Sequence, residues 1–260
     1  MIQSTPANEH IYMTQNLNQI LLLLLASLLL TVSCSAESPA KPAADAATDY
    51  QYVDASRDGI GKLYMGREIS HVMGHLGAGW LERKSRVAEE RTDLLLENLP
   101  VRPDSVVVDL GAGTGYFSLP MARRATDGRV LAVDLQTEML DIIRSRSASE
   151  NLDNIEPVLA TEQDPNLPAN SVDLVLIVDA YHEFSHPQEV MTGVFYSLKP
   201  GGRIYLVEYR GEDPRVPIKP LHKMTEAQAR LELEAVGLRW VETLGFLPQQ
   251  HVLVFERPNI

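Results

Sequence analysis

The stretch that most constrains this chain runs from Ser105 to Gly115 and reads Ser-Val-Val-Val-Asp-Leu-Gly-Ala-Gly-Thr-Gly. Val106, Val107 and Val108 are consecutive and β-branched, the pattern of a strand buried on both faces of a parallel sheet. The apolar run stops at Asp109, and glycines follow at every second position: Gly111, Gly113 and Gly115. Tyr116 to Arg124 then reads as a helix that ends near the Asp127-Gly128 turn. Strand, glycine turn and helix make the nucleotide-binding corner of a doubly wound α/β fold. Side chains in that turn would hold the backbone away from a ligand lying across it.

The neighbours of the turn select the ligand. A dinucleotide fingerprint needs its third glycine at position 116, where this chain has Tyr116. Asp109 stands two places before the first glycine, and a carboxylate there repels a pyrophosphate but suits a cationic ligand. With Asp109, Gly111, Gly113 and Gly115 in the pattern D-x-G-x-G-x-G, the chain resembles the class I S-adenosylmethionine-dependent methyltransferases. The resemblance implies a Rossmann-like seven-stranded α/β sheet with an antiparallel final strand, an N-terminal helical lid, and S-adenosylmethionine as co-substrate. It also implies that the loop Asp109, Gly111, Ala112, Gly113, Thr114 and Gly115 binds that co-substrate.

Three later segments extend the resemblance over roughly residues 80 to 256. Arg129 to Asp134 reads as a strand ending in an acid. A carboxylate presents two acceptors in one plane, which fits a cis-diol. By resemblance Asp134 takes the ribose hydroxyls, with Leu135 beside it. Ile155 to Ala160 is a third strand, and Glu162 after it falls where the family lines the adenine ring. Val172 to Val178 is a fourth strand, followed by Asp179-Ala180-Tyr181-His182-Glu183-Phe184 at the carboxyl end, where doubly wound sheets hold ligands. Asp179 is expected to bind the co-substrate, and Tyr181 and His182 to face the acceptor. A histidine titrates near neutrality and suits the removal of a proton. Lys199-Pro200-Gly201-Gly202 is a helix stop and turn before the strand Ile204 to Glu208. A helix capped by Thr225 and a strand pair, Leu238 to Leu244 with His251 to Glu256, close the domain.

The chain's ends and composition narrow the function further. Ile20 to Val32 is a Leu-rich run, shorter than a comfortable bilayer span, and it leads into Ser33-Cys34. It resembles a bacterial lipoprotein signal, which implies a membrane-associated protein lipidated at Cys34; an uncleaved signal anchor is the alternative. The expected organisation is a signal segment at 1–34, a tether at 35–60, a helical cap at 61–100 and the methyltransferase domain at 101–260. Within the cap, Tyr64 to Leu99 reads as mostly helical, with Val87, Leu94, Leu95 and Leu99 buried, Glu89, Glu90 and Arg91 outside, and Trp80 either in the core, the default, or a lid aromatic. His71 and His75 are four apart, but no metal site is expected from them. A formal net charge of -12 argues against a nucleic-acid partner. The Asn-Pro-Pro-Tyr and Pro-Cys patterns are absent, and the resemblance, which looks nearest to the branch that includes quinone-biosynthesis enzymes, implies methyl transfer to a small-molecule or lipid-like acceptor. Two alternatives stay open: a non-catalytic membrane-tethered binding protein of the same fold, and a nicotinamide-dependent oxidoreductase.

Overall fold

The computed structural model describes residues 50–259; the Leu-rich run, Cys34 and the segment up to Asp49 lie outside them. The largest sheet mixes parallel and antiparallel pairs. Its strands are β4 (Val106–Leu110), β5 (Arg129–Asp134), β6 (Ile155–Leu159), β7 (Val172–Val178), β8 (Leu198–Arg210), β10 (Arg239–Leu244) and β11 (Gln250–Glu256). They lie in the order β10-β11-β8-β7-β4-β5-β6, with the short β9 (Lys223–Met224) beside β8. β4 pairs in parallel with both β5 and β7, while β11 runs antiparallel to β8 and β10. The Rossmann-like sheet with its reversed final strand is therefore present. Chain order reverses on either side of β4, and such a switch point opens a crevice at the carboxyl ends of the strands.

Successive strand residues point to opposite faces, so the valines of β4 serve two cores. Val108 packs with Leu131, Val175 and Leu206 under Met191 and Val194 of α6 (Pro187–Ser197) and Leu233 of α7 (Glu226–Glu234). Val107 packs on the other face with Val130, Leu174 and Val254 under Met121 of α4 (Ser118–Arg124) and Leu95 of α3 (Thr92–Asn98). Leu140 and Ile143 of α5 (Thr137–Ser149) cover β5 at Ala132. Burying both faces is what the β-branched runs require. Thr225 caps α7 as its sequence position suggests, accepting a hydrogen bond from the Gln228 N–H at 3.1 Å.

The N-terminal part departs from the sequence reading. Residues expected in a tether and a helical cap form an antiparallel sheet of β1 (Tyr50–Tyr52), β2 (Gly59–Tyr64) and β3 (Arg67–Ser70). Met65 and Gly66 both have positive φ, 49° and 89°, the two-residue turn that matches the twist of a hairpin. The helices begin later, as α1 (Ala78–Leu81) and α2 (Arg86–Glu90) before α3. Arg91 at φ 54° breaks α2 from α3, so Val87 is exposed while Leu95 and Leu99 are buried. Glu90, expected outside, is buried because it pairs with Arg83 and Arg86. Trp80 is exposed rather than core. Among the described residues no helix is long and apolar enough to cross a membrane.

Candidate active site

A cleft of about 830 Å³ opens at the switch point. Gly111 and Gly113 form its floor, Asp134, Leu135 and Gln136 one side, Thr161, Glu162 and Pro165 the far rim, and Asp179, Ala180 and Glu183 to Ser185 the other side. Both glycines are left-handed, at φ 77° and 54°. A Cβ on Gly111 would meet the Ala180 Cβ at 2.8 Å, and one on Gly113 the Leu81 Cδ1 at 2.6 Å. Only glycine fits both the dihedrals and the space.

Asp134 ends β5 where its carboxylate meets the loop. Oδ2 accepts from the Gly113 N–H and Oδ1 from the Gln136 N–H, each at 2.9 Å. Each oxygen keeps a further lone pair for a hydroxyl. Burial raises its pKa, partly offset by those backbone donors. Gln136, which the sequence reading passed over, ties the roof to the wall. Its side chain donates to the Met73 carbonyl at 3.0 Å and accepts from the His75 N–H at 2.6 Å. Val72, Met73 and Leu81 thus cover the cleft, and the lid is a loop and a short helix rather than a helical cap.

A second cavity, about 1060 Å³, joins the first through shared walls at Val72, Met73, Leu81, Asp179 and Glu183. His71, Trp80, Arg86, Tyr209, His182 and His222 line it. His182 lies in the 3₁₀ turn Tyr181–Glu183 after β7, and its Nδ1 is 2.6 Å from Glu208 Oε2 on β8. Its Nε2 is 3.1 Å from His222 Nδ1, at the end of the turn Pro220–His222. Burial pulls the His182 pKa down, but the Glu208 carboxylate, helped by Glu183 and Asp179, outweighs it and leaves the pKa raised. His222 is lowered by burial and by His182. Asp179 sits between the cavities at φ 49°, with Oδ2 accepting from Gln250 at 2.7 Å and Oδ1 buried without a partner. Burial, then Glu208 and Glu90, hold its pKa well above the carboxylate range.

Several expected site residues sit elsewhere. Tyr181 is fully buried, lines neither cavity, and donates to Glu232 Oε2 at 2.8 Å. Glu232 also binds Arg67 at 2.7 and 2.9 Å, so Tyr181 and Arg67 fasten the turn after β7 and β3 to α7, and the Tyr181 ring faces neither cavity. Asp109 is buried beneath the loop, accepting from Ser118 Oγ at 2.5 Å. Ala112 is packed in the core, Thr114 donates to Glu82, and a Cβ on Gly115 would meet Leu119 and Ile143. These four lie outside the cleft lining, whereas Gly111, Gly113, Asp134, Leu135, Glu162, Asp179 and His182 line one cavity or both. His71 and His75 do not share a helix: His71 follows β3 and His75 opens the turn His75–Gly77.

A glycine loop after the first sheet strand, an acid closing the second and a lidded crevice at the switch point define the Rossmann-like fold of class I methyltransferases. Residues 107–202 match the family model described as a methyltransferase domain, whose co-substrate is S-adenosylmethionine. An uncharacterized methyltransferase-like protein of Schizosaccharomyces pombe is 30% identical over 154 residues, 58% of this chain and 56% of that protein. The ubiquinone/menaquinone biosynthesis C-methyltransferase of Hydrogenovibrio crunogenus is 29% identical over 111 residues, 42% of this chain and 44% of that protein. The chain spans about half the length of these relatives. The crystal structure of an S-adenosylmethionine-dependent methyltransferase from Aquifex aeolicus shares the fold, with a TM-score of 0.66 at 21% identity, covering 71% of this chain and 99% of that one.

Proposed function

We propose that this protein transfers the methyl group of S-adenosylmethionine to a small-molecule or lipid-like acceptor held in the second cavity. The charge of the first cleft carries this reading. Asp134, Glu162 and Glu183 line it beside Asp179, which burial holds toward its neutral form, and its lining includes no Lys, Arg or His. Such a wall attracts a sulfonium and an ammonium and repels a pyrophosphate. It counts against the nicotinamide alternative more strongly than the missing glycine does.

When bound, S-adenosylmethionine supplies an electrophilic methyl carbon on a positively charged sulfur. Asp134 offers its free lone pairs to the ribose, Gly111 and Gly113 let the backbone approach, and Leu135 and Glu162 border the adenine end. The Gln136 clasp holds the lid down over this cleft. Asp179 and Glu183, common to both cavities, mark the passage through which donor and acceptor are aligned. Alignment of that kind provides much of the acceleration in a displacement reaction. An acceptor hydroxyl or acidic carbon gives its proton to the His182–His222 pair, with Glu208 orienting His182 and stabilising the imidazolium. The Leu-rich run and Cys34 support a membrane-held protein, and the likeness to the ubiquinone/menaquinone biosynthesis C-methyltransferase of Hydrogenovibrio crunogenus supports a lipid-like quinone acceptor class.

The test is calorimetric titration of the full-length protein in detergent with S-adenosylmethionine and, separately, with oxidised nicotinamide dinucleotide. Saturable binding of the first alone is expected. Binding of the dinucleotide alone overturns the proposal.

A further inference from the structure

The second cavity contains a side-chain cluster whose geometry goes beyond what proton transfer to the His182–His222 pair requires. His182 Nε2, His222 Nδ1 and a Glu183 carboxylate oxygen converge on one point among the described residues. The nitrogens are 3.1 Å apart, and Glu183 Oε1 lies 3.9 Å from His182 Nε2 and 4.0 Å from His222 Nδ1. We infer that His182, Glu183 and His222 bind one divalent first-row transition metal ion, with Zn²⁺ the ion best suited to the donor set. Two imidazoles and a carboxylate at about 2.0–2.2 Å from such an ion stand about 3–3.6 Å from one another. A movement of Glu183 by under about 1 Å reaches that geometry.

Outer contacts aim each donor inward. Glu208 Oε2, fully buried at 2.6 Å from His182 Nδ1, keeps the proton on that nitrogen and leaves the Nε2 lone pair for an ion. The Met73 N–H donates to Glu183 Oε2 at 3.1 Å, which turns Oε1 toward the histidines. A second observation points the same way: the buried Asp179 Oδ1, on the wall of the same cavity, has no hydrogen-bond partner. Three protein donors leave coordination positions open toward the cavity, as in catalytic rather than structural sites. An ion and a shared proton are alternative occupants of the two nitrogens. With an ion bound, a coordinated acceptor hydroxyl would be acidified and would release its proton to solvent water rather than to His182.

The inference rests on this cluster and not on the methyl-transfer reading. The untagged full-length protein, stripped with a chelator, is titrated with Co²⁺ and followed by its visible d–d absorption, with Zn²⁺ as competitor. One ion per chain is expected. His222→Ala and Glu183→Gln should each weaken binding at least about 100-fold, and Glu208→Gln about 10- to 100-fold. His71→Ala, in the same cavity outside the triad, should leave it unchanged. His222 is the most exposed of the three donors, so its loss is the variant least prone to misfolding, and circular dichroism checks each fold. Absence of saturable Co²⁺ binding, or binding unaltered by both His222→Ala and Glu183→Gln, overturns the site. S-adenosylmethionine affinity is measured on the same metal-free samples, so failure of either reading is seen independently of the other.

Discussion

Asp109→Asn should stabilise this protein at alkaline pH, although it removes a charge at the most constrained position in the chain. Asp109 is 3% exposed, between β4 and the glycine loop. Burial pushes its pKa up to about 6; the Ser118 hydroxyl and Arg86 pull it down and Asp134 pushes it further up. In the unfolded chain the group titrates at its ordinary value of 3.8. The fold therefore holds the proton more tightly than the unfolded chain does. The associated stability is complete below about pH 4 and is lost as pH rises through 6. The interval from 3.8 to about 6, at about 1.4 kcal/mol per pH unit, amounts to about 3 kcal/mol lost by pH 8. Asparagine has the same shape, cannot ionise and still accepts from Ser118, losing about 1 kcal/mol of charge-assisted bonding. The variant should gain about 2 kcal/mol at pH 8, or about 4–8 °C in Tm for a domain of this size. That advantage should vanish by about pH 4. Thermal unfolding of both proteins by circular dichroism from pH 4 to 8 measures it. A variant less stable than the wild type at pH 8, or a difference that does not change with pH, would refute the argument. Because Asp109 lies outside the cleft lining, S-adenosylmethionine affinity should survive the substitution.

Asp134→Ala should leave the fold intact but cost about 2–4 kcal/mol of S-adenosylmethionine binding, about 30- to 700-fold in Kd by calorimetry. An unchanged Kd would exclude the ribose role. Tyr181→Phe removes one donor from the buried Glu232 and should lower the unfolding free energy from urea titration by about 1–3 kcal/mol while turnover per folded molecule is kept. A turnover loss without a stability loss would return Tyr181 to the chemistry. Mass spectrometry of the membrane fraction should find a mature chain beginning at an acylated Cys34, and an intact Met1 would favour an uncleaved anchor.

Much of the architecture was legible because it is encoded locally. Val106 to Val108, the three alternating glycines and the acid ending Arg129–Asp134 each carry their signal within a dozen residues. The strands β5 and β7 fall where periodicity and β-branching put them. Residues 50–70 misled for the same reason: strands of three to six residues interrupted by glycines have no repeat long enough to read. They become a sheet because Arg67 and Ser70 gain partners far along the chain, at Glu232 and the His182 carbonyl. Tyr181 and His182 are adjacent and looked equivalent, but the tight 3₁₀ turn sends one side chain into the core toward Glu232 and the other to the cavity. The sequence by itself determined the sheet, the glycine loop and the acid that faces it. Which of the many carboxylates and histidines meet was decided only by tertiary structure. Glu208 and His222 stand 26 and 40 residues from His182, and strand register together with turn geometry brings their atoms within 2.6 and 3.1 Å.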